Sequence, residues 1–184
     1  MVVKGHHSPN VTLVGVIAAD SSLNMDDFRA NERTFQILTQ VAGRAGREKE
    51  IGKGKVIIQT YNPDNFSIEC SKKQNYQLFY DTEIMIRKQL KYPPFCDIIV
   101  IGISSKNEQD AFQVTNKIHQ YLKNRVIKEN LGIILYQGMP APIDKIKNQY
   151  RYRIIIKCKF DDAMIDLMND VITEYTKMKE SKDK

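Results

Sequence analysis

No phosphate-binding loop of the form G-x-x-x-x-G-K-[ST] occurs in the sequence; the nearest stretch, Gly52-Lys53-Gly54, runs on into Lys55 and Val56. The chain therefore lacks the loop amides and lysine that cradle a nucleotide's phosphates. No D-E-x-H-type acidic motif for magnesium follows either. Cysteine is scarce: Cys70, Cys96 and Cys158 lie far apart with no C-x-x-C pair, which argues against a zinc knuckle or a disulfide framework and fits a reducing compartment. His6 and His7 are adjacent and read as loop residues, so no metal ligand set is expected. Long apolar runs are missing too. The longest, around VTLVGVIAA, is far shorter than the roughly 20 residues a membrane span needs, and no charged leader with an apolar core opens the chain. No membrane or secretory destination is expected, and a cytoplasmic one is.

What is present is ordinary for a folded protein: 184 residues, 42% apolar and 27% charged, enough for one ample core or two small domains. The 28 basic and 22 acidic residues give a net charge of +6, which is compatible with a polyanion partner without requiring one.

Two textures follow one another. In the first, VTLVGVIAAD (11–20) and KVIIQTY (55–61) are continuous apolar runs, the pattern of strands covered on both faces in a parallel sheet. Between them Phe35, Leu38 and Val41 fall at helical spacing, so strand, helix and strand form a crossover unit of an α/β lobe. A helical stretch over roughly 66–91, broken near SKKQN, is stopped by Pro93-Pro94. Beyond it the order is strand (96–104), helix (108–128), strand (132–138), strand (149–160) and helix (161–178), with Asp161 placed as N-cap of the last. This β-α-β-β-α order lacks only the final strand of a ferredoxin-like pattern. Either the sheet is open-edged or the chain has been cut short. The expected division is 1–65, a helical connector over 66–94, and a C-terminal α+β domain over 95–184.

One strand divides by parity. Tyr150, Tyr152, Ile154, Ile156, Cys158 and Phe160 are apolar or aromatic, whereas Arg151, Arg153, Lys157 and Lys159 alternate with them, and Lys145 and Lys147 lead into the same stripe. Alternate side chains point to opposite faces, so one face is expected in the core and the other presents a row of cations. That row is either a solvated face guarding an edge strand or a surface that tracks phosphates without reading bases. The parity places Tyr150 and Tyr152 in the core rather than stacked on bases.

The stretch QVAGRAGR carries Arg44 and Arg47 three apart, on one face of a helical segment, with small residues between them. Such a pair can grip nucleic-acid phosphates or reach a nucleotide's γ-phosphate held by another domain. This stretch resembles the sixth conserved motif of superfamily-two helicases, and KGHHSPNVTLVGVIAAD resembles the fifth. Taken with MDDFRANERTFQILTQVAGRAGR, GKVIIQTYNPDN, LKYPPF and GMPAPIDKIKNQYRYRIIIK, nearly the whole chain resembles the primosomal replication-restart helicases.

That resemblance implies a partial RecA-like helicase lobe followed by a C-terminal domain resembling a ribosomal-protein fold. It implies a C-terminal fragment of an ATP-dependent DNA helicase of three-prime-to-five-prime polarity, acting in replication restart and primosome assembly. Gln40, Arg44 and Arg47 match the sixth motif, with Arg47 as arginine finger; Lys4, Gly5, Pro9 and Asp20 match the fifth, which couples ATP to the DNA strand. Val41 stands where the wider superfamily often has arginine, and His7 where it often has an acid. ATP and magnesium would be bound mainly by an absent first lobe, and zinc by cysteine clusters of the full-length protein only. The fragment alone would not hydrolyse ATP. Forked DNA, single-stranded-DNA-binding protein and other primosome proteins are the implied partners, in a nucleoid-associated setting. A non-catalytic ferredoxin-like module that binds nucleic acid or protein is the alternative.

Overall fold

A computed structural model describes residues 11–43 and 54–180. The chain separates into two compact units, the first ending at Ile86 and the second beginning at Arg87, ahead of Pro93-Pro94.

In the first unit, β1 (Leu13–Val16) and β2 (Lys55–Ile58) pair in parallel, Leu13 opposite Lys55 and Val16 opposite Ile58. Between them come a single turn, α1 (Asp20–Leu23), and α2 (Ala30–Ala42). Phe35, Leu38 and Val41 line the buried face of α2, as their spacing predicts. The helical stretch after β2 is interrupted where expected: α3 (Phe66–Lys72) and α4 (Tyr76–Gln89) are separated around Gln74, which takes a left-handed φ of 48°. Asn65 caps α3 by accepting the Ser67 amide hydrogen at 2.9 Å. Leu38 packs with Ala19 and Ile68 in one small core, and Phe35 stacks on Phe79 with centroids 4.2 Å apart in another.

The strands are shorter than their apolar runs, and they are not covered on both faces. Leu13 is 56% exposed, Ile57 51% and Ile17 82%. Helices pack on one side only, with Val16 and Ile58 against Leu38 and Ile68, so burial alternates along each strand.

The second unit holds β3 (Asp97–Ser105), α5 (Glu108–Glu129), β4 (Ile134–Leu135), β5 (Met139–Ile146), β6 (Gln149–Cys158) and α6 (Asp162–Glu180). β6 is central. β3 runs antiparallel to it on one side over its whole length, and β4 and β5 follow one another along the other. The connection order expected from sequence is thus realised, with its second strand split in two. Asn107 caps α5, accepting from the amides of Gln109 and Asp110, and Asp161 caps α6 by accepting from Met164 at 3.1 Å. Ile154, Ile156, Leu122 and Leu167 are sealed between sheet and helices. Both helices meet in an ion pair, Arg125 to Asp170 at 2.5 Å.

The sequence does not announce β5. Pro140 and Pro142 speak against a strand, yet β5 is an edge strand with a register shift between Pro140 and Lys145, a setting that tolerates proline because the missing amide hydrogen has no ladder partner to lose.

Candidate nucleic-acid interface

On β6 the parity holds for one face: Ile154, Ile156 and Cys158 are buried under the helices, and Tyr152 meets Phe112 of α5 edge-on at 6.0 Å. The other face is not the uniform row of cations that the alternation predicts. Lys157 is only 6% exposed. Its ammonium donates to the Leu90 carbonyl at 2.7 Å and lies 3.7 Å from the centre of the Tyr92 ring and 5.5 Å from that of Tyr136. The expected role of Lys157 as a phosphate contact is therefore corrected: it ties the segment preceding β3 to the sheet through a charged hydrogen bond and two aromatic faces. Leu90, Tyr92 and Tyr136 are far from Lys157 in sequence, so no local pattern announces the cage. Lys157→Met is expected to cost about 1.5–3 kcal/mol, by removing a hydrogen bond from a charged donor, while leaving DNA affinity unchanged. Denaturant titration with a binding assay on the same variant checks both.

The remaining cations fall into two places. Lys159 is exposed just past the end of β6. At the opposite end, roughly 30 Å away at about 3.3 Å per residue, β5 and β6 form a hairpin closed by Lys147 and Asn148. Both of these residues have positive φ, 49° and 59°, the signature of a two-residue type I′ turn. Lys145 and Lys147 are exposed and Arg151 is half-buried, while residues 142–149 are open to solvent throughout. Lys145 donates to the Tyr150 hydroxyl at 3.0 Å with its ammonium 4.3 Å from the ring centre, and Arg151 reaches back to the Ile143 carbonyl at 3.4 Å. These interactions hold two cations on one hairpin, whose acid is Asp144. Arg153, half-buried, lies opposite Met139 and Gly102 where the hairpin joins the sheet.

In the first unit Asp20 follows β1 and is buried. Its carboxylate accepts from the Thr60 hydroxyl at 2.8 Å, the Tyr61 amide at 2.9 Å and the Asn62 side-chain amide at 3.1 Å. The chain ends beyond the two parallel strands are thereby stitched together. The Tyr61 backbone amide, helped by Thr60 and Asn62, holds the carboxyl below the usual aspartate range against the opposing effect of burial. A depressed carboxyl contributes stability fully above the unfolded-chain value of about 3.9 and loses it as pH falls through its own lower value. Asp20→Ala is thus expected to lower the melting temperature by several degrees at neutral pH, with the gap to the parent closing below about pH 3. Melting curves across that range test the sign. The segment carrying Thr60, Tyr61 and Asn62 reads from sequence only as a turn.

Gln40 is exposed in the last turn of α2. Lys4, Gly5, Pro9, Arg44 and Arg47 lie outside the described residues. Among the described residues there is no group of three or more His, Cys, Asp or Glu side chains placed to hold a metal, and the three cysteines are unpaired thiols on separate elements. The described side chains do not fit magnesium or zinc as a resident ion. No helix among these residues is long and apolar enough to cross a membrane.

A parallel β-α-β unit and a basic hairpin on an antiparallel sheet define an α/β protein with a candidate polyanion surface. Residues 88–183 match the family described as Primosomal protein N C-terminal domain, and the chain belongs to that family. It is 38% identical over 182 residues to Replication restart protein PriA of Bacillus subtilis, covering 99% of this chain and 22% of that protein. The protein of the same name from Borreliella burgdorferi is 37% identical over 92% of this chain and 25% of its own length, and that from Synechocystis 40% over 85% and 18%. The chain thus spans about a quarter or less of these relatives.

Proposed function

We propose that the chain is the C-terminal part of a replication-restart protein, and that its second unit contributes a DNA-contacting surface at the β5–β6 hairpin. The observation that carries this is the clustering of Lys145, Lys147 and Arg151 on an exposed hairpin, two of them held by interactions within it. Cations presented this way meet phosphates by charge and follow backbone shape rather than base identity. Arg153 extends the cluster toward the sheet, and Lys159 is a separate contact.

The first unit belongs, in this reading, to a RecA-like helicase lobe of a three-prime-to-five-prime helicase. Leu13, Ile17 and Ile57, exposed on and beside the two strands, fit a sheet whose second face is covered in a longer protein. Arg44 and Arg47, with Gln40, would face the γ-phosphate of ATP bound elsewhere in that protein; Lys4, Gly5, Pro9 and Asp20 would couple it to the DNA strand. Asp20 does so by fixing the ends of β1 and β2 against each other. Magnesium and zinc belong to other parts of the longer protein, as does the ATP site proper. Single-stranded-DNA-binding protein and other primosome proteins are partners at the level of the whole assembly.

The test is fluorescence anisotropy of the chain on forked, duplex and single-stranded DNA across a salt series. Binding whose affinity falls linearly with the logarithm of salt concentration supports the reading; absence of binding at low salt overturns it. Phosphate release from ATP and forked DNA should stay at the level of buffer, and clear turnover would contradict the assignment of the ATP site to another part of the protein.

A further inference from the structure

The sheet of the second unit is closed on one side and open on the other. Among the described residues β3 hydrogen-bonds to β6 alone, so its outer edge is unpaired along Asp97–Ser105. That edge carries none of the usual guards: DIIVIGISS has one charge, at its start, and neither lysine nor proline. The core beneath it is also unfinished. Ile154 and Ile156 of β6 are wholly buried, whereas Ile99, Ile101 and Ile103, one strand over and packed on the same core, stay partly exposed.

α6 completes the opening. It begins beside β3, since the Phe160 amide donates to Asp97 at 2.9 Å, and its inner face buries Met164, Leu167 and Val171. Asp170 marks the side facing α5, through its ion pair with Arg125. At about 100° per residue, Ile165 and Ile172 point away from Asp170 and so away from α5, and they are 42% and 63% exposed. An apolar helix flank therefore overhangs an unpaired apolar strand edge, with space between them for one more strand.

We infer that this slot is filled by β3 of a second copy of the chain, giving a two-fold dimer with a continuous sheet. The pattern is self-complementary. An antiparallel pair centred on Ile101 sets Ile99 against Ile103 and Asp97 against Ser105, so no like charges meet and apolar residues share one face. A two-fold axis perpendicular to the sheet keeps the helices of both copies on the same side and runs the two α6 helices antiparallel. The exposed charges of α6 are segregated along its length, Asp162 and Asp166 near the start and Lys177 and Lys179 in the last turn. In the antiparallel arrangement the acidic half of each copy faces the basic half of the other, while Ile165 and Ile172 lose their solvent exposure. A two-fold interface of this kind uses the same patch twice and closes on itself, so it does not propagate into fibres.

Analytical ultracentrifugation of the chain over a wide concentration range, paired with hydrogen exchange, tests the inference. The expected result is a reversible monomer–dimer equilibrium, with amides of β3 and side chains of α6 gaining protection as the dimer forms. Val100→Lys places a guard on the exposed strand edge and Ile172→Lys a charge on the helix flank; both positions are solvent-exposed, so the monomer keeps its circular dichroism and melting curve. Each should weaken dimerisation by about tenfold or more, equivalent to about 1.4 kcal/mol. A chain that stays monomeric at millimolar concentration overturns the inference, even if the slot then accepts an extended peptide from another protein. A dimer that survives both substitutions, or whose protection maps away from β3, overturns it equally.

Discussion

Replacing Lys145, Lys147 and Arg151 together by glutamine is expected to flatten the salt dependence of DNA binding by nearly three units of slope, at about 0.9 for each duplex phosphate that is no longer neutralised. At low salt the same change should weaken binding by orders of magnitude, since each neutralised phosphate releases condensed counterions that the variant leaves in place. Glutamine keeps length and polarity, so the fold of an exposed hairpin is not at stake. The comparison that gives the result its meaning is within β6. Lys157 belongs to the same alternation in sequence but is sealed against Tyr92 and Tyr136, and Lys157→Met should shift stability without shifting the slope. If all four cations contributed alike, the hairpin would not be the site. Lys159→Gln, at the far end of the strand, should change the slope by one unit or by nothing, according to whether the bound DNA extends that far.

Leu122→Ala should be the most damaging single truncation in the second unit, costing about 2–5 kcal/mol. Leu122 is fully buried on the inner face of α5, in the cluster that joins Ile118 to Ile154, Ile156 and Leu167. Helix and sheet both hold their positions through other interactions there, among them the ion pairs of Arg125 with Asp170 and Glu129, so the site cannot collapse around the missing atoms and a cavity remains. Arg125 is strengthened as a cation by these partners, with Glu129 first, Asp170 next and the Tyr121 hydroxyl after them. Because the chain has two compact units, unfolding need not follow a single transition. Hydrogen exchange at the β6 amides reads the destabilisation where it occurs, and an unchanged β6 would mean that the core is held from elsewhere.

Much of this architecture is legible in the sequence because side-chain periodicity reports burial directly. The helical spacing of Phe35, Leu38 and Val41, the alternation through Ile154, Ile156 and Cys158, and the cap at Asp161 all appear where the pattern places them. Periodicity fails where a third body intervenes. Lys157 alternates like a surface residue, but a segment distant in sequence folds over it and supplies the carbonyl and the rings. The runs at 11–20 and 55–61 are apolar enough to be buried on both faces, yet helices cover only one. Composition records what a strand tolerates, and the packing partners decide what it receives. β5 is hidden by the opposite bias: Pro140 and Pro142 argue against a strand in general but are compatible with an edge. The basic hairpin is hidden with it, since Lys145 and Lys147 are visible in the sequence as charges but not as one arm of a turn.

The turn at Lys147 and Asn148 also shows two demands in opposition. A type I′ turn favours Asn-Gly, because a left-handed backbone strains any residue with a Cβ atom, by about 1–2 kcal/mol. Here a lysine occupies the first of the two left-handed positions. Lys147→Gly should therefore make the hairpin more robust and its grip on a polyanion weaker, one substitution moving the two properties in opposite directions. A variant improved for folding at this tip would be selected against for holding, which makes position 147 a dial between durability and affinity rather than a site with a single optimum.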